Sequence, residues 1–320
     1  MIDHGANGSR LIDHIAFTVK DDSAWPTVES ILCIKWAERG FGGHLYKESA
    51  DGDIPGSRLY HEGVKADMGH FVQLSGQSCR FIESQENFPG WIEYLKKISD
   101  AGAIFRRVDV TVDDIAGKID YETVAMSVRD KALIRARGTC WGEIISSSKG
   151  VKHRTLTIGS RTSTAMIRVY DKGLQTGCRT SWLRFEFELK KERAEAWVNV
   201  LISEGWDVAY GSLRGILEFL DPDHKTTDRS RHRAAQWWIE LIAASRNIIK
   251  ISSGAIDSIE KAIKWVNRQW TQTIAVLVEV NEGDTTWLYD LMENGRKRYK
   301  KKHRLMIEQA RRVNYEVCLG

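Results

Sequence analysis

Four stretches of this 320-residue chain alternate strictly between polar and apolar residues, and no other feature constrains the fold as much. Successive side chains of a strand point to opposite faces, so each stretch reads as a strand with one face buried. In His14–Lys20 the odd positions carry the large apolar groups. Arg107–Asp113 sets three valines against Arg107, Asp109, Thr111 and Asp113. Met166–Lys172 puts Arg168, Tyr170 and Lys172 on its even face; Leu183–Lys190 puts Arg184, Glu186, Glu188 and Lys190 there. Weaker strands are expected at 68–74 and 153–158. Helical patterns lie between them: 89–101 opened by Pro89, 120–133 capped by Asp120, and 191–204 stopped by Gly205. The order predicts an α+β fold, an antiparallel sheet with helices packed on one face. A β-α-β arrangement recurs at about 68–113 and 120–190, which suggests a duplicated unit, although no sequence repeat proves it.

Beyond residue 221 the character changes. Residues 228–246, 255–272, 284–294 and 296–312 read as helices, the last two split at Gly295. An α+β domain over 1–220 and a helical, basic C-terminal lobe over 221–320 are therefore expected, the lobe serving DNA binding or oligomerisation. The net charge is only +4, but residues 295–312 hold nine Lys/Arg and one acid, Glu308. Such a run can neutralise phosphates. Arg296, Lys297, Arg298, Lys300, Lys301, Lys302 and Arg304 are the expected contacts; the bland alternative is a solvated helix face.

Several classes are excluded. The five cysteines form no C-x-x-C pair, so a zinc ribbon is not expected, and they fit reduced thiols of a cytosol. No apolar run approaches the roughly 20 residues of a membrane helix. The N-terminus lacks a signal-peptide layout, so a soluble intracellular protein is expected. There is no P-loop, no G-x-S-x-G, no H-E-x-x-H and no His-x-His. His70 and His153 stand in or beside strands and read as structural or as ligands.

The polar strand faces carry the chemistry. Carboxylates two apart on a strand share a face, so Asp109 with Asp113 and Glu186 with Glu188 converge if their strands are neighbours. Clustered oxygens suit Mg²⁺ or Mn²⁺. A tyrosine beside such an ion can attack a phosphodiester reversibly. Arg168 and Lys172 flank Tyr170, where they are expected to lower its pKa and hold the phosphate. The alternative is a set of cross-strand ion pairs around a packing tyrosine.

The blocks RRVDVTVDD (106–114), TLTIGSRTSTAMIRVYDKGLQ (155–175) and SWLRFEFELK (181–190) resemble the replication initiation factor family, and the helical C-terminal third, with its tryptophans and basic end, resembles that family's filamentous phage and prophage initiators. The resemblance implies a rolling-circle initiator that nicks one strand at a double-stranded origin and keeps the 5′ end on Tyr170. It implies Arg168, Lys172 and Arg184 as basic catalytic groups, and Asp109, Glu186 and, less firmly, Glu188 as metal ligands. Arg107 and Arg161 are expected to meet DNA. The implied partners are the double-stranded origin and single-stranded DNA, a host helicase and polymerase, and a second copy of the chain, in a bacterial cytoplasm without membrane attachment. A conjugative relaxase and a non-catalytic origin-binding regulator remain the alternatives.

Overall fold

A computed structural model describes residues 3–5, 8–136, 141–148, 151–176, 182–221, 228–242, 266–267, 270–299, 303–304 and 307. The chain divides into two compact units, Met1–Ser253 and Gly254–Gly320.

The first unit is built on one antiparallel sheet. Its elements begin with β1 (Asp3–Gly5), β2 (Gly8–Val19), α1 (Trp25–Leu32), β3 (Trp36–Glu38), β4 (Tyr46–Gly52), β5 (Ser57–Gly63), β6 (His70–Leu74), α2 (Gly76–Glu83) and α3 (Trp91–Asp100). They continue with β7 (Ala103–Asp114), α4 (Tyr121–Arg129), β8 (Leu133–Ile134), β9 (Trp141–Ser148), β10 (Val151–Ile158), β11 (Ala165–Asp171), α5 (Lys172–Thr176) and β12 (Leu183–Lys190). α6 (Glu192–Glu204), α7 (Trp206–Leu213), β13 (Glu218–Asp221), β14 (Arg233–Ala234) and α8 (Gln236–Ile242) complete it. The sheet runs β3-β4-β5-β6-β2-β7-β12-β11-β10-β9, with β1 paired to β2.

That order is symmetric about the β2–β7 seam. Gly8–Asp100 and Ala103–Leu213 each supply a 12-residue strand, a helix, a four-stranded meander and two helices, the second half adding β8 and α5. The suspected duplication is thus present, but over longer units than 68–113 and 120–190. A short repeat accompanies it: Arg58-Leu59-Tyr60-His61-Glu62-Gly63 on β5 matches Arg168-Val169-Tyr170-Asp171-Lys172-Gly173, which runs from β11 into α5. The repeat is faint in the sequence: three identities, R-x-Y-x-x-G, are spread over six positions.

One face of the sheet makes the core. Ile15, Phe17, Val72, Leu74, Val108, Val110, Val112, Phe185 and Phe187 are at most 1% exposed, and they pack under α2, α3, α6 and α8. The alternating strands fold as their period predicts, and Asp120 caps α4 by accepting from Thr123 N at 2.8 Å. The expected helix at 228–246 is shorter: a turn at Arg229–Arg231 and β14 precede α8. The described residues 228–242, within the expected C-terminal lobe, lie in the first unit. Trp238 is fully buried there, with ring centroids 5.1 Å from Phe219 and 5.6 Å from Phe185.

In the second unit, α9 (Thr271–Val280) and α10 (Thr286–Lys297) face each other across a small apolar cleft lined by Trp270, Ile274, Leu277, Trp287 and Leu291. α10 runs through Gly295, where a helix break was expected. Most of the helix expected at 255–272 lies outside the described residues, as does most of that at 296–312.

Candidate active site

β2, β7, β12 and β11 lie side by side, so their polar faces form a lattice. One row joins Tyr170, Arg184 and Asp113; the next joins Arg168, Glu186 and Thr111; a third joins Met166, Glu188, Asp109 and His14. The sequence thus brings Asp109, Glu186, Glu188, Tyr170, Arg168, Arg184 and Arg107 onto one patch. This polar face was expected to stand open to solvent. Instead Asp113, Asp109, Glu188 and Glu186 are only 0–8% exposed, because their own arginines cover them.

The ion pairs are dense. Arg168 Nη2 lies 2.7 Å from Glu186 Oε1, 2.8 Å from Glu188 Oε2 and 3.7 Å from Asp109 Oδ2. Arg107 grips Asp109 through Nε at 2.8 Å and Nη2 at 2.5 Å, and reaches Glu188 at 3.0 Å. Lys190 pairs with Glu188. Arg184 holds Asp113 with two 2.7 Å bonds and meets Asp13 at 3.5 Å. Asp13 reaches this patch through a bulge between Ile12 and His14.

Tyr170 Oη donates to Glu186 Oε2 at 2.9 Å. Burial and then the Glu186 charge push its pKa up, with Arg184 opposing. The expected lowering by Arg168 and Lys172 is therefore reversed. Arg168 spends its charge on carboxylates. Lys172 opens α5 after the strand has ended, its Nζ bonds Gln175 at 2.7 Å and lies 5.9 Å from the Tyr170 ring centroid, and its own pKa is lowered by burial and by Arg184. Burial pushes Asp109 up to about 6, against Arg107. Burial also works to raise Glu188, but Lys190, Arg107 and Arg168 outweigh it and hold it low. Burial, then Arg107, lowers His14 to about 3, so its ring is neutral.

Two further features adjoin the patch. Arg161, exposed before β11, lines a cleft of about 360 Å³ with Arg168, Glu188, Lys190, Thr155 and Thr157. Sequence reasoning missed His14, whose Nε2 is buried without a hydrogen-bond partner. The available signal was its even position on β2, on the face opposite the apolar residues.

Among the described residues no group of three or more His, Cys, Asp or Glu side chains is arranged as a metal cage. The reason is visible: three carboxylates close around the Arg168 guanidinium, a cation already in their midst. Carboxylate oxygens are the class of donor that takes Mg²⁺ or Mn²⁺, but here the Arg168 guanidinium fills the place such an ion would need.

The basic end is only partly visible. Arg296, Lys297, Arg298 and Arg304 are exposed, with Arg296 paired to Glu293; Lys300, Lys301 and Lys302 lie outside the described residues. Among the described residues no helix is long and apolar enough to cross a membrane.

Known proteins resemble this chain over most of its length. A family model described as replication initiation factor matches residues 103–292. The NicK protein of Bacillus subtilis (strain 168), named as a DNA relaxase, is 21% identical over 289 residues, which cover 85% of this chain and 81% of its own. The structure of a rolling circle replication initiator protein from Geobacillus stearothermophilus has the same fold, with a TM-score of 0.63 and 23% identity, covering 73% of this chain and 95% of that one.

Proposed function

The chain belongs to the replication initiation factor family, and we propose that it initiates rolling-circle replication by nicking one DNA strand through Tyr170. The observation that carries this reading is the 2.9 Å bond from Tyr170 Oη to Glu186 Oε2 inside the carboxylate cluster. That distance suits proton transfer to a general base. Glu186 takes the phenolic proton as Tyr170 Oη attacks phosphorus. The new O–P bond leaves a 5′-phosphotyrosine; the P–O3′ bond breaks and the leaving oxygen, once protonated, is a free 3′-OH. The phenol is a fair leaving group, so a 3′-OH can later reverse the step. Arg184 fixes the sheet beside Tyr170 through Asp113, and Arg168 turns from the carboxylates to the phosphate. Asp109, Glu188 and the second oxygen of Glu186 would hold Mg²⁺ or Mn²⁺ if Arg168 left them for the phosphate, and such an ion would supply charge stabilisation on the phosphoryl oxygens.

Arg107, Arg161 and the basic end, Arg296, Lys297, Arg298, Lys300, Lys301, Lys302 and Arg304, meet the DNA backbone. The helical, basic C-terminal lobe serves that contact or self-association. The partners are a double-stranded origin and the single strand it releases, with a host helicase to unwind, a host polymerase to extend the 3′-OH, and a second copy of the chain. The setting is a bacterial cytoplasm and a phage or plasmid circle. The likeness to NicK favours a second reading, a relaxase that starts conjugative transfer by the same chemistry. Incubation with supercoiled circles carrying candidate origins or transfer sites tests both. Nicked circles with protein covalently on the 5′ end support the chemistry, and the site cut separates the readings. Nicking without a covalent adduct contradicts a tyrosine nucleophile, and no nicking of any circle favours a non-catalytic regulator.

A further inference from the structure

We propose that the cleft beside Tyr170 seats one unpaired nucleotide of the DNA strand, with Ile144 as the wall against its base and Arg161 as the group on its phosphate. The inference rests on the nicking reading above and adds where a nucleotide next to the cut is held. Thr155 stands directly opposite Tyr170 on the neighbouring strand, and Ile144 stands opposite Thr155. Directly opposed side chains share one face of a sheet, about 5 Å apart. Ile144, Thr155 and Tyr170 therefore form one row, which leads from the phenol to β9 at the end of the sheet order. Thr157 opposes Arg168 in the next row. The cleft of about 360 Å³ opens along these rows, with Ile144, Thr155, Thr157, Arg161, Met166 and Lys190 in its walls.

Those walls match the parts of a nucleotide. Lys190 is committed to Glu188 and donates to Arg161 O at 2.8 Å, so the exposed Arg161 is the cation that serves a phosphate. Thr157 Oγ1 donates to Gly142 O at 3.0 Å, while the Thr155 hydroxyl, a donor and an acceptor, stands beside the phenol for a sugar or base edge. Ile144 is the anomaly. It is 50% exposed on the polar face of the sheet, whereas Leu156 and Ile158 of the adjacent strand are buried on the other face. Every base has an apolar face, and covering it with an aliphatic side chain removes both surfaces from water without sequence preference. Met166 adds an adaptable thioether to the same cleft. The volume lies at the small end of ligand pockets, about 300–1,000 Å³. It takes one nucleoside and not a base pair, so the occupant is single-stranded.

Fluorescence anisotropy with the full-length protein and two labelled strands of equal length, oligothymidylate and the same sugar–phosphate chain without bases, tests this apart from nicking. Ile144→Ala should bind oligothymidylate about five- to tenfold more weakly, since apolar contact with a base is lost. It should bind the base-free strand as wild type does. Arg161→Gln should weaken both strands and reduce the slope of log K against log salt by about 0.7, as loss of one phosphate contact on a single strand does. Circular dichroism checks folding. Photo-crosslinking of thiothymidine strands to wild type, read by mass spectrometry, needs no variant and should mark β9 or β10. Equal loss on both strands in folded Ile144→Ala, or no loss on either, overturns the base wall while leaving the Tyr170 chemistry standing. Crosslinks confined to other elements overturn the cleft as the seat. A protein that shows the base-dependent Ile144 effect but nicks no circle loses its proposed nucleophile and keeps its nucleotide cleft.

Discussion

At the scale of single residues, the proposed chemistry divides the work between Tyr170 and Glu186, and their variants should fail differently. Tyr170→Phe removes one hydroxyl and one hydrogen bond, so stability should change by no more than about 1.5 kcal/mol. Nicking should fall on the order of 10⁴-fold or more, as loss of a nucleophile does elsewhere. A covalent 5′ adduct at the normal rate would assign the nucleophile elsewhere. Tyr210 is not a substitute: it is fully buried, its hydroxyl shared between Leu11 O at 3.2 Å and Thr111 O at 3.1 Å. Glu186→Gln keeps the shape but removes the base, and should cost about 10²–10⁴-fold. Excess Mn²⁺ should not restore it fully, because a metal cannot replace the proton acceptor; full rescue would make Glu186 a ligand only. Asp109 yields a pH signature. The folded carboxyl titrates near 6 and the unfolded one near 3.8, so between these values the folded protein holds a proton that the unfolded chain has released. The stability of the neutral form is complete below the lower value and is lost as pH rises through the upper one. Asp109→Asn should flatten the dependence of stability on pH in that window, by up to about 1.4 kcal/mol per pH unit. Chemical denaturation at a series of pH values reads it, and an unchanged slope would mean that burial does not raise this carboxyl.

Among the elements, α8 shows where a boundary drawn from composition goes astray. The segment after residue 221 looks helical and basic, yet its tryptophan closes the core of the sheet. Trp238→Ala should destabilise the first unit by about 3–5 kcal/mol. A chain ending at Leu220 should melt far below one ending at Ser253 in calorimetry, and equal melting would refute the packing role of α8. The strands that carry the site were legible because each alternates cleanly: β7, β11 and β12 lie within one residue, or a short extension, of the pattern. At the opposite end of the sheet, β3, β4 and β5 were not. Tyr46–Gly52 carries Glu48, Ser49 and Asp51 among its residues, and Ser57–Gly63 mixes Tyr60 with His61 and Glu62, so no two-residue period stands out. The catalytic patch was readable residue by residue, but its pairing was not. Which carboxylate takes which arginine depends on the register between strands, and that is set by the whole sheet. The bulge that carries Asp13 toward Arg184 leaves no mark in the local sequence either.

For the whole molecule, the basic C-terminal end is the remaining electrostatic question. Truncation before Gly295 removes Arg296, Lys297, Arg298 and Arg304 together with the lysines at 300–302. DNA binding should weaken, and each lost phosphate contact should reduce the slope of log K against log salt by about 0.9 on duplex DNA. Binding titrations at several salt concentrations measure it, and an unchanged slope in a folded truncation would confine DNA contact to the sheet. The paired halves of that sheet have a different consequence. In the first half Tyr60 faces Phe71 and Arg58 faces Gln73, where the second half sets Tyr170 by Arg184 and Arg168 by Glu186. Tyr60 is 5% exposed and packs against His44, Tyr46 and Phe71. On the proposed chemistry, the matched half of the sheet therefore offers no second nucleophile beside Tyr170. A replicated circle has to be opened at one junction and resealed at another. On that chemistry, a second opening while the first end occupies Tyr170 would need a phenol from outside the two matched halves. Until a 3′-OH returned to reclaim its end, Tyr170 would act as a stoichiometric reagent, consumed one to one with the strand it had cut.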